Sequence, residues 1–192
     1  MNLLTKTWAL AIAALALQAQ AAPYQSIVPT KSSVTFSYKQ MGVAIDGRFK
    51  KFAAQVNFDP AKADAAKASF DVELASVDAG SSEADGEVVT KSWFNAAAFP
   101  KATFVARQIK QTAANQYEVT GALSIKGQTR EMKFPMKHTA QGKDGVLTGS
   151  FTIKRGDFNI GEGMWAKFDV VANDIQVNFS ITTSLGLSLI HI

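Results

Sequence analysis

Residues 117–136 read YEVTGALSIKGQTREMKFPM and contain two runs in which apolar and polar residues alternate. The apolar positions are Tyr117, Val119, Leu123 and Ile125 in the first run and Met132, Phe134 and Met136 in the second. A period of two is typical of a β-strand that buries one face. The turn sequence Lys126-Gly127-Gln128-Thr129 separates the runs. We therefore predict a β-hairpin here.

The same alternation recurs on both sides of this hairpin. With the two runs above it makes eight segments, the others being residues 34–38, 52–58, 68–74, 102–106, 147–153 and 175–181. Two interruptions lack the alternation. Residues 61–68 are alanine-rich after Asp59-Pro60, which predicts one or two helical turns. Residues 83–99 carry Val88, Val89, Trp93 and Phe94 at the spacing of one helix face, which predicts a short helix or lid between two strands.

Strands with one apolar face must bury that face against another layer. Because no sustained helical pattern is present to cover it, the choices are a two-sheet sandwich or a sheet closed into a barrel. Closure also removes exposed strand edges. An eight-stranded barrel is just wide enough to be filled by side chains or to hold one small ligand. The thirteen phenylalanines suit either interior, so the alternation alone leaves both open.

The first residues of the chain predict export. Lys6 precedes an apolar stretch at residues 8–17, and Ala19-Gln20-Ala21 offers small residues for cleavage, as in a secretory signal peptide. We expect residues 1–21 to be removed and the protein to reach the periplasm, with secretion beyond it left open. The apolar stretch is shorter than the roughly 20 residues that span a bilayer. The absence of cysteine rules out a lipoprotein anchor, disulfides and thiolate metal sites.

Charge and histidine content argue against several functional classes. The formal net charge of +4 is scattered, without the basic cluster that nucleic-acid binding requires. The histidines are His138 and His191. His191 lies in the terminal tail, and His138 is expected to be a rim or surface residue at the end of its alternating row. With no glycine-rich phosphate loop either, we predict no catalytic residue, no metal and no cofactor.

An ordered set of motifs runs from about Tyr24 to Thr183. It comprises Ser33-Val34-x-Phe36, Gly47-Arg48-Phe49-x-x-Phe52, Ser76-Val77-Asp78-Ala79-Gly80, Phe94, Phe99-Pro100-x-Ala102-Thr103-Phe104, Val119-x-Gly121-x-Leu123-x-Ile125-x-Gly127-x-Thr129-Arg130 and Arg155-x-Asp157-Phe158-x-Ile160-Gly161. On these residues the sequence resembles the YceI-like family of bacterial periplasmic proteins. The resemblance implies an all-β, eight-stranded antiparallel lipocalin-like barrel around an elongated apolar tunnel. It also implies binding of an isoprenoid quinone, a polyprenyl phosphate or a related long-chain lipid.

The resemblance divides the chain into three parts. These are a signal peptide at residues 1–21, a YceI-like lipid-binding barrel at 22–183 and an apolar tail of doubtful origin at 184–192. Between Ser82 and Ser92 the family tends to show an Arg-Asp pair, whereas this chain has Glu83-Ala84-Asp85-Gly86. The resemblance therefore gives no ligand preference at this rim. A dimer is left open, because the sequence does not indicate the oligomeric state.

Arg155 is the charged residue whose predicted position most needs an explanation. It continues the parity of Phe151 and Ile153, so its side chain should point toward the apolar face or its mouth. A buried charge needs a partner, which predicts an ion pair, with Asp157 as the candidate, or backbone hydrogen bonds that close one end of the barrel. The alternative is a clamp for a ligand's polar head, since a guanidinium suits phosphate and carbonyl oxygens. Arg48 has the same two interpretations.

We predict non-catalytic binding of a long-chain lipid. The predicted ligand-binding residues are Phe36, Phe49, Phe52, Trp93, Phe94, Phe104, Phe151, Arg155 and Phe158. Period alone would make the phenylalanines core, and the resemblance makes them a tunnel wall. Trp93 and Phe94 are candidates to cover the open end, and Trp165, which follows Gly161-Glu162-Gly163, is a candidate for its rim. One alternative is an enzyme acting on an apolar substrate in the same cavity, with Tyr38, His138, Arg155 and Asp157 as its polar candidates. Another is a stress-response structural module without a ligand.

Overall fold

A computed structural model describes residues 23–186. The predicted signal peptide and residues 187–192 of the predicted tail lie outside this range. The strands are β1 Tyr24–Ile27, β2 Ser33–Gln40, β3 Val43–Phe49, β4 Phe52–Asn57, β5 Lys67–Glu73, β6 Val77–Asp78, β7 Lys101–Ala113, β8 Gln116–Ile125, β9 Gln128–Gln141, β10 Asp144–Lys154 and β11 Asp174–Leu185, and the helix α1 spans Ser82–Val88. The first two residues of the predicted tail, Ser184 and Leu185, lie in β11 and pair with β1 and β10.

The hairpin predicted at residues 117–136 is confirmed. Strand β8 pairs antiparallel with β9, and Val119 faces Phe134 in the register. Lys126 and Gly127 form the two-residue connection with φ values of +49° and +76°. Two consecutive positive φ angles are typical of the turn whose twist matches that of paired strands. Every second residue of β8 is buried, as the alternation requires.

The strands form one antiparallel sheet in the order β4-β5-β7-β8-β9-β10-β11-β2-β3-β6. Its two ends are joined because β3 continues into β4 after Lys50 and Lys51. Lys50 N donates to Ser76 O at 3.0 Å, and Glu73 N donates to Lys51 O at 3.1 Å, so the β3–β6 ladder runs on into the β4–β5 ladder. The sheet therefore curls round into the all-β barrel that was predicted.

The sheet has eleven strands where eight segments were predicted. Two long barrel strands are each divided by a bend, which separates β3 from β4 and β5 from β6. Strand β1 is additional and lies at the edge of β11, with Ile27 opposite Thr183. Strand β3 is not among the eight predicted segments, because Gly47 interrupts the apolar row between Ile45 and Phe49.

One end of the barrel is closed. Tyr24 in β1 exchanges backbone hydrogen bonds of 2.9 and 3.0 Å with Phe58, which follows β4. Strand β1 thus links β11 to β4 across the end of the barrel. Phe58, Tyr117 and Ile181 are fully buried there. No helix within residues 23–186 is long and apolar enough to cross a membrane.

The structure contradicts the expectation that His138 is a rim or surface residue. Its side chain is only 4% exposed and lies between Tyr24 and Phe58, with ring centroids 5.1 and 5.5 Å away. Its row continues inward past Met136 to the closed end, so the end of the strand is covered by β1. Neither ring nitrogen has a hydrogen-bond partner among residues 23–186, and burial lowers the pKa of His138.

Both predicted interruptions contain helical structure. Pro60–Ala65 forms a 3₁₀ helix in which the side chain of Asp59 accepts from Ala61 N. Ser81 caps α1, since its Oγ accepts from Ala84 N at 3.2 Å. Serine is a favoured N-cap because its oxygen satisfies an otherwise free helical N–H. The α-helix covers only the first part of the predicted 83–99 segment, and turns follow it up to β7.

Candidate functional site

The barrel encloses a cavity of about 550 Å³, a volume in the range of small-molecule binding sites. Inward-facing side chains of the strands form its wall. Its deep part is entirely apolar and lies next to the closed end, where it is lined by Val56, Phe58, Ile109, Val119, Met136 and Leu147. All six of these residues are buried.

Aromatic rings form the middle of the wall. Phe36, Phe49, Phe104 and Phe151 all line the cavity and remain partly accessible although they point inward. Their accessible surface faces the cavity. Phe151 stacks on Phe134 with 4.8 Å between ring centroids, so the rings are held in place by one another as well as by the strands. Such a surface suits an apolar chain and offers it few polar partners.

The mouth of the cavity lies beside α1, where the exposed lining residues Ser81 and Glu83 are found. Glu87 fixes this part of the structure. Its Oε1 accepts from the indole Nε1 of Trp93 at 3.1 Å and from that of Trp165 at 2.8 Å. The predicted rim residue Trp165 and the predicted cover residue Trp93 are thus both held against the helix by one carboxylate.

A buried arginine supports the loop beside the mouth. Arg155 is 1% exposed, and its N–H groups donate to the backbone oxygens of Ile160, Gly161, Trp165, Lys167, Val171 and Ala172 at 2.8–3.3 Å. Its guanidinium also lies 5.3 Å from the Trp93 ring centroid and 4.8 Å from that of Phe168. Burial lowers the pKa of Arg155, but a guanidinium in a protein stays protonated.

The backbone hydrogen bonds that were one interpretation of Arg155 are present. They hold the loop beside the open mouth, however, and do not close an end of the barrel. The prediction of Asp157 as the ion-pair partner of Arg155 is wrong. Asp157 is exposed, and within residues 23–186 Arg155 makes no ion pair with a carboxylate. The 3₁₀ turn that begins at Arg155 breaks the strand parity on which the pairing relied. Arg48 is exposed, pairs with Asp78 at 3.2 Å and does not line the cavity.

Tyr38 lies at the same end of the cavity. Its hydroxyl donates to Ala79 O at 2.9 Å, and Ala79 N donates to Asp85 Oδ1 at 2.5 Å. These two bonds connect β2, the segment after β6 and helix α1. Burial, with a smaller contribution from the charge of Asp85, raises the pKa of Tyr38. The hydroxyl is therefore a neutral hydrogen-bonding group at ordinary pH.

Seven of the nine predicted ligand-binding residues line the cavity, namely Phe36, Phe49, Trp93, Phe94, Phe104, Phe151 and Arg155. Phe52 and Phe158 do not. Phe52 is the first residue of β4, after the bend that follows β3, and its partly buried side chain packs against the core. Phe158 is 1% exposed in the 3₁₀ turn and lies in solid core, with the Arg130 guanidinium 5.9 Å from its ring centroid.

Several residues that line the cavity are not among the predicted ligand-binding residues. Phe70, Phe134 and Phe179 line the cavity and had a usable signal, since each lies in a predicted alternating row. Glu87 had no such signal, because it lies outside the alternating rows and one of its two indole partners, Trp165, is 78 residues away in the sequence. Of the four polar candidates for an enzyme, Tyr38 and Arg155 line the cavity, whereas His138 and Asp157 do not. The structure therefore does not bring the four together.

Comparison with known proteins agrees with this architecture. The crystal structure of BcnA from Burkholderia cenocepacia is 39% identical, with a TM-score of 0.80, and covers 82% of this chain and 99% of that one. A UPF0312 protein of Azotobacter vinelandii is 30% identical over 134 residues, which are 66% of this chain and 70% of that protein. A polyisoprenoid binding domain from Saccharophagus degradans, implicated in plant cell wall breakdown, shares the fold at 15% identity, with a TM-score of 0.69 over 86% of this chain and 99% of that one.

The sequence motifs and the barrel are explained by one family. The model of the YceI-like domain matches residues 25–183, which include all eleven strands except the ends of β1 and β11. This chain belongs to the YceI-like family.

Proposed function

We propose that this protein binds a long-chain isoprenoid lipid in its barrel cavity without transforming it chemically. The observation that carries the proposal is the cavity of about 550 Å³ with an apolar deep end and an aromatic middle. A protein core of this size is normally packed at the density of an organic crystal. An open space lined by apolar groups is therefore a binding site for an apolar occupant.

The comparisons support the class of ligand. The domain from Saccharophagus degradans is described as polyisoprenoid-binding, and it shares this barrel over nearly its whole length. The arrangement of the cavity is consistent with that chemistry, because a prenyl chain is long, apolar and methyl-branched. Aromatic walls of the kind formed by Phe104, Phe134 and Phe151 give such a chain continuous contact.

The energetics make the tail the main source of affinity. Each buried methylene contributes about 0.8 kcal/mol, and ordering a flexible chain offsets part of this gain. Arg155 lies in the wall, but its N–H groups are already bonded to backbone oxygens. It is therefore a structural residue rather than a head-group clamp. Carriage, storage and sensing of the lipid are all compatible with binding of this kind.

We also propose that the protein acts in the periplasm after removal of residues 1–21. The support is the signal-peptide pattern around Lys6 and Ala19-Gln20-Ala21. Fractionation of cells that express the full chain tests this. We expect a periplasmic form whose sequence begins at Ala22, and a full-length form confined to the cytoplasm would contradict it.

The binding proposal is tested by a series of isoprenoid alcohols with different tails. Trp93 and Trp165 line the mouth, and the remaining tryptophan of the chain, Trp8, is in the signal peptide. The intrinsic fluorescence of the mature protein therefore reports on the mouth. Titration with geraniol, farnesol and geranylgeraniol should give saturable changes, with affinity rising at least severalfold for each added isoprene unit. Affinity that does not depend on tail length, or no saturable change, would contradict the proposal.

A further inference from the structure

The charged groups of the cavity lining are all at one end. Among the lining residues that the structure describes they are Glu83, Glu87 and Arg155. Glu87 binds Trp165, whose backbone oxygen accepts from Arg155, and Glu83 lies one helical turn before Glu87 on α1. The deep end offers only apolar groups. An amphipathic ligand would therefore place its polar end beside α1.

The two buried positive charges near this mouth, Arg155 and Lys126, already have acceptors. Arg155 donates through all three of its guanidinium nitrogens to backbone oxygens. Lys126, whose side chain is 7% exposed, donates to Asn159 O at 2.6 Å and to Glu162 Oε2 at 2.8 Å. Because these contacts are within the protein, a ligand's anionic head would have to displace them in order to pair with either cation.

The negative charges at the mouth are less completely used. Glu83 is exposed, and hydrogen bonds from its own backbone N–H and from the hydroxyls of Ser81 and Ser82 lower its pKa, so it remains ionised. Glu87 accepts two indole N–H groups through Oε1. Helix α1 also carries Asp85 and has no basic residue in its last turn. Glu83, Glu87 and Arg155 together give the cavity lining a net charge of −1 at this end. The exposed Lys91 and Lys167 lie near Trp93 and Trp165 in the sequence but do not line the cavity.

We propose that the cavity selects lipids with an uncharged head, such as a polyprenol or a quinone, and discriminates against polyprenyl phosphates. This deepens the proposed function and rests on it. A phosphate monoester carries a charge of about −1.5 to −2 at neutral pH. Placed beside the exposed Glu83 and the half-buried Glu87, it would be repelled by both carboxylates, and more strongly by Glu87, which is less surrounded by water. An alcohol or quinone head would meet no such repulsion.

A matched pair of ligands tests the inference. Geranylgeraniol and geranylgeranyl phosphate have the same tail and differ in head charge. At low salt we expect the mature protein to bind the phosphate at least about tenfold more weakly, which corresponds to about 1.4 kcal/mol. The ratio of the two affinities should shrink in 0.5 M NaCl, since salt screens charges that are accessible to solvent.

Paired variants identify the charges responsible. In the double variant Glu83→Gln with Glu87→Gln, the amide oxygen at position 87 can still accept from both indoles. The ratio of the geranylgeraniol affinity to the geranylgeranyl phosphate affinity should fall at least threefold. The control is Glu118→Gln with Glu131→Gln. It changes the net charge equally but alters carboxylates that pair with Lys133 and Arg107, away from the cavity. The control should leave the ratio as in the wild-type protein.

The outcomes separate this inference from the proposed function. If both ligands bind wild-type protein equally well, the head-group selection is wrong while lipid binding stands. Selection by α1 is also wrong if the mouth and control variants change the ratio to the same extent. If neither ligand binds, the proposed function itself fails and the inference fails with it.

Discussion

At the scale of single residues, Arg155 is a large, fully buried side chain that stabilises a whole loop. Its guanidinium is surrounded by six backbone oxygens from residues 160–172, which accept the hydrogen bonds that water would otherwise accept. Those carbonyls belong to a loop with little regular structure beyond one short 3₁₀ turn. A single side chain thus orders the loop that carries Trp165 to the mouth.

Replacing Arg155 tests whether this role is structural. We expect Arg155→Met to lower the free energy of unfolding by about 3–5 kcal/mol, because it removes several charge-assisted hydrogen bonds and leaves buried carbonyl groups without donors. The control is Arg107→Met, which removes a side chain that is 63% exposed and paired with Glu131. It should cost less than about 1 kcal/mol. Thermal or chemical unfolding measures both, and equal stability of the two variants would refute the structural role.

His138 makes stability depend on pH. Burial lowers its pKa below the ordinary 6.5, so the unfolded chain takes up a proton at this histidine more readily than the folded protein does. As pH falls through about 6.5, this residue therefore makes the folded state progressively less stable, with a slope of at most about 1.4 kcal/mol per pH unit. The loss continues until the folded-state pKa is reached.

The variant His138→Leu isolates this effect from the titration of carboxylates. Unfolding should be measured from pH 7.5 to pH 5 for both proteins. The difference in stability between wild-type and variant should shift in favour of the variant as pH falls, because leucine has no proton to take up. If the free energies of unfolding of the two proteins changed with pH in parallel, the pKa of His138 would not be lowered in the folded protein.

At the scale of elements, glycines in the strands give the aromatic rings their space. Gly149 in β10 faces Phe179 in β11, and Gly47 in β3 faces Phe36 in β2. A Cβ at either glycine would overlap the facing ring. Close approach of a ring to a glycine backbone fills the volume a side chain would have taken.

A glycine-to-alanine pair tests this packing. Gly149→Ala should destabilise the barrel by about 1–3 kcal/mol, since Phe179 must leave its position. The same substitution at Gly86 in α1, where a Cβ would meet no atom within 4 Å, should stabilise the protein slightly because alanine favours a helix. Unfolding midpoints measure both. If both substitutions stabilised the protein, or both destabilised it to the same extent, Gly149 would not be needed to make space for the Phe179 ring.

The elements also show what could be predicted from the sequence. Alternation predicts strands such as β8 and β9 because each buries one face against a continuous interior. It fails at His138, because parity does not report that β1 covers the barrel end. The resemblance fails at Phe158, which was expected in the tunnel wall and lies in the core, in a 3₁₀ turn that replaces the strand. The joint hydrogen bonding of Glu87 to Trp93 and Trp165 could not be predicted, since Trp165 is 78 residues from Glu87 and meets it only in the folded protein.

At the scale of the whole molecule, the barrel combines one solid end with one open end. Strand β1 closes the first by joining Tyr24 to Phe58, and the helix α1 lies beside the second. Closure of the sheet removes the edges along which strands aggregate. The same closure keeps an apolar space from collapsing, because the ring of hydrogen-bonded strands fixes the diameter of the barrel.

A tryptophan scan of two positions distinguishes cavity wall from solid core. Phe151→Trp should weaken lipid binding while costing less than about 1 kcal/mol of stability, since the larger ring extends into the cavity. Phe158→Trp should destabilise by about 1–3 kcal/mol, because Phe158 is 1% exposed in packed core. Melting temperature and geranylgeraniol affinity are measured for both. Severe destabilisation by Phe151→Trp with unchanged affinity would mean that the barrel is filled.

The most direct test of the central claim is mass spectrometry of the organic extract from the mature protein purified without added lipid. The cavity predicts recovery of a long-chain isoprenoid at up to one molecule per chain, and depletion of that lipid in extracts of the Phe151→Trp variant. Protein stripped of lipid should take up an added isoprenoid quinone or polyprenol again. An extract without lipid, together with no uptake of either compound, would contradict the account.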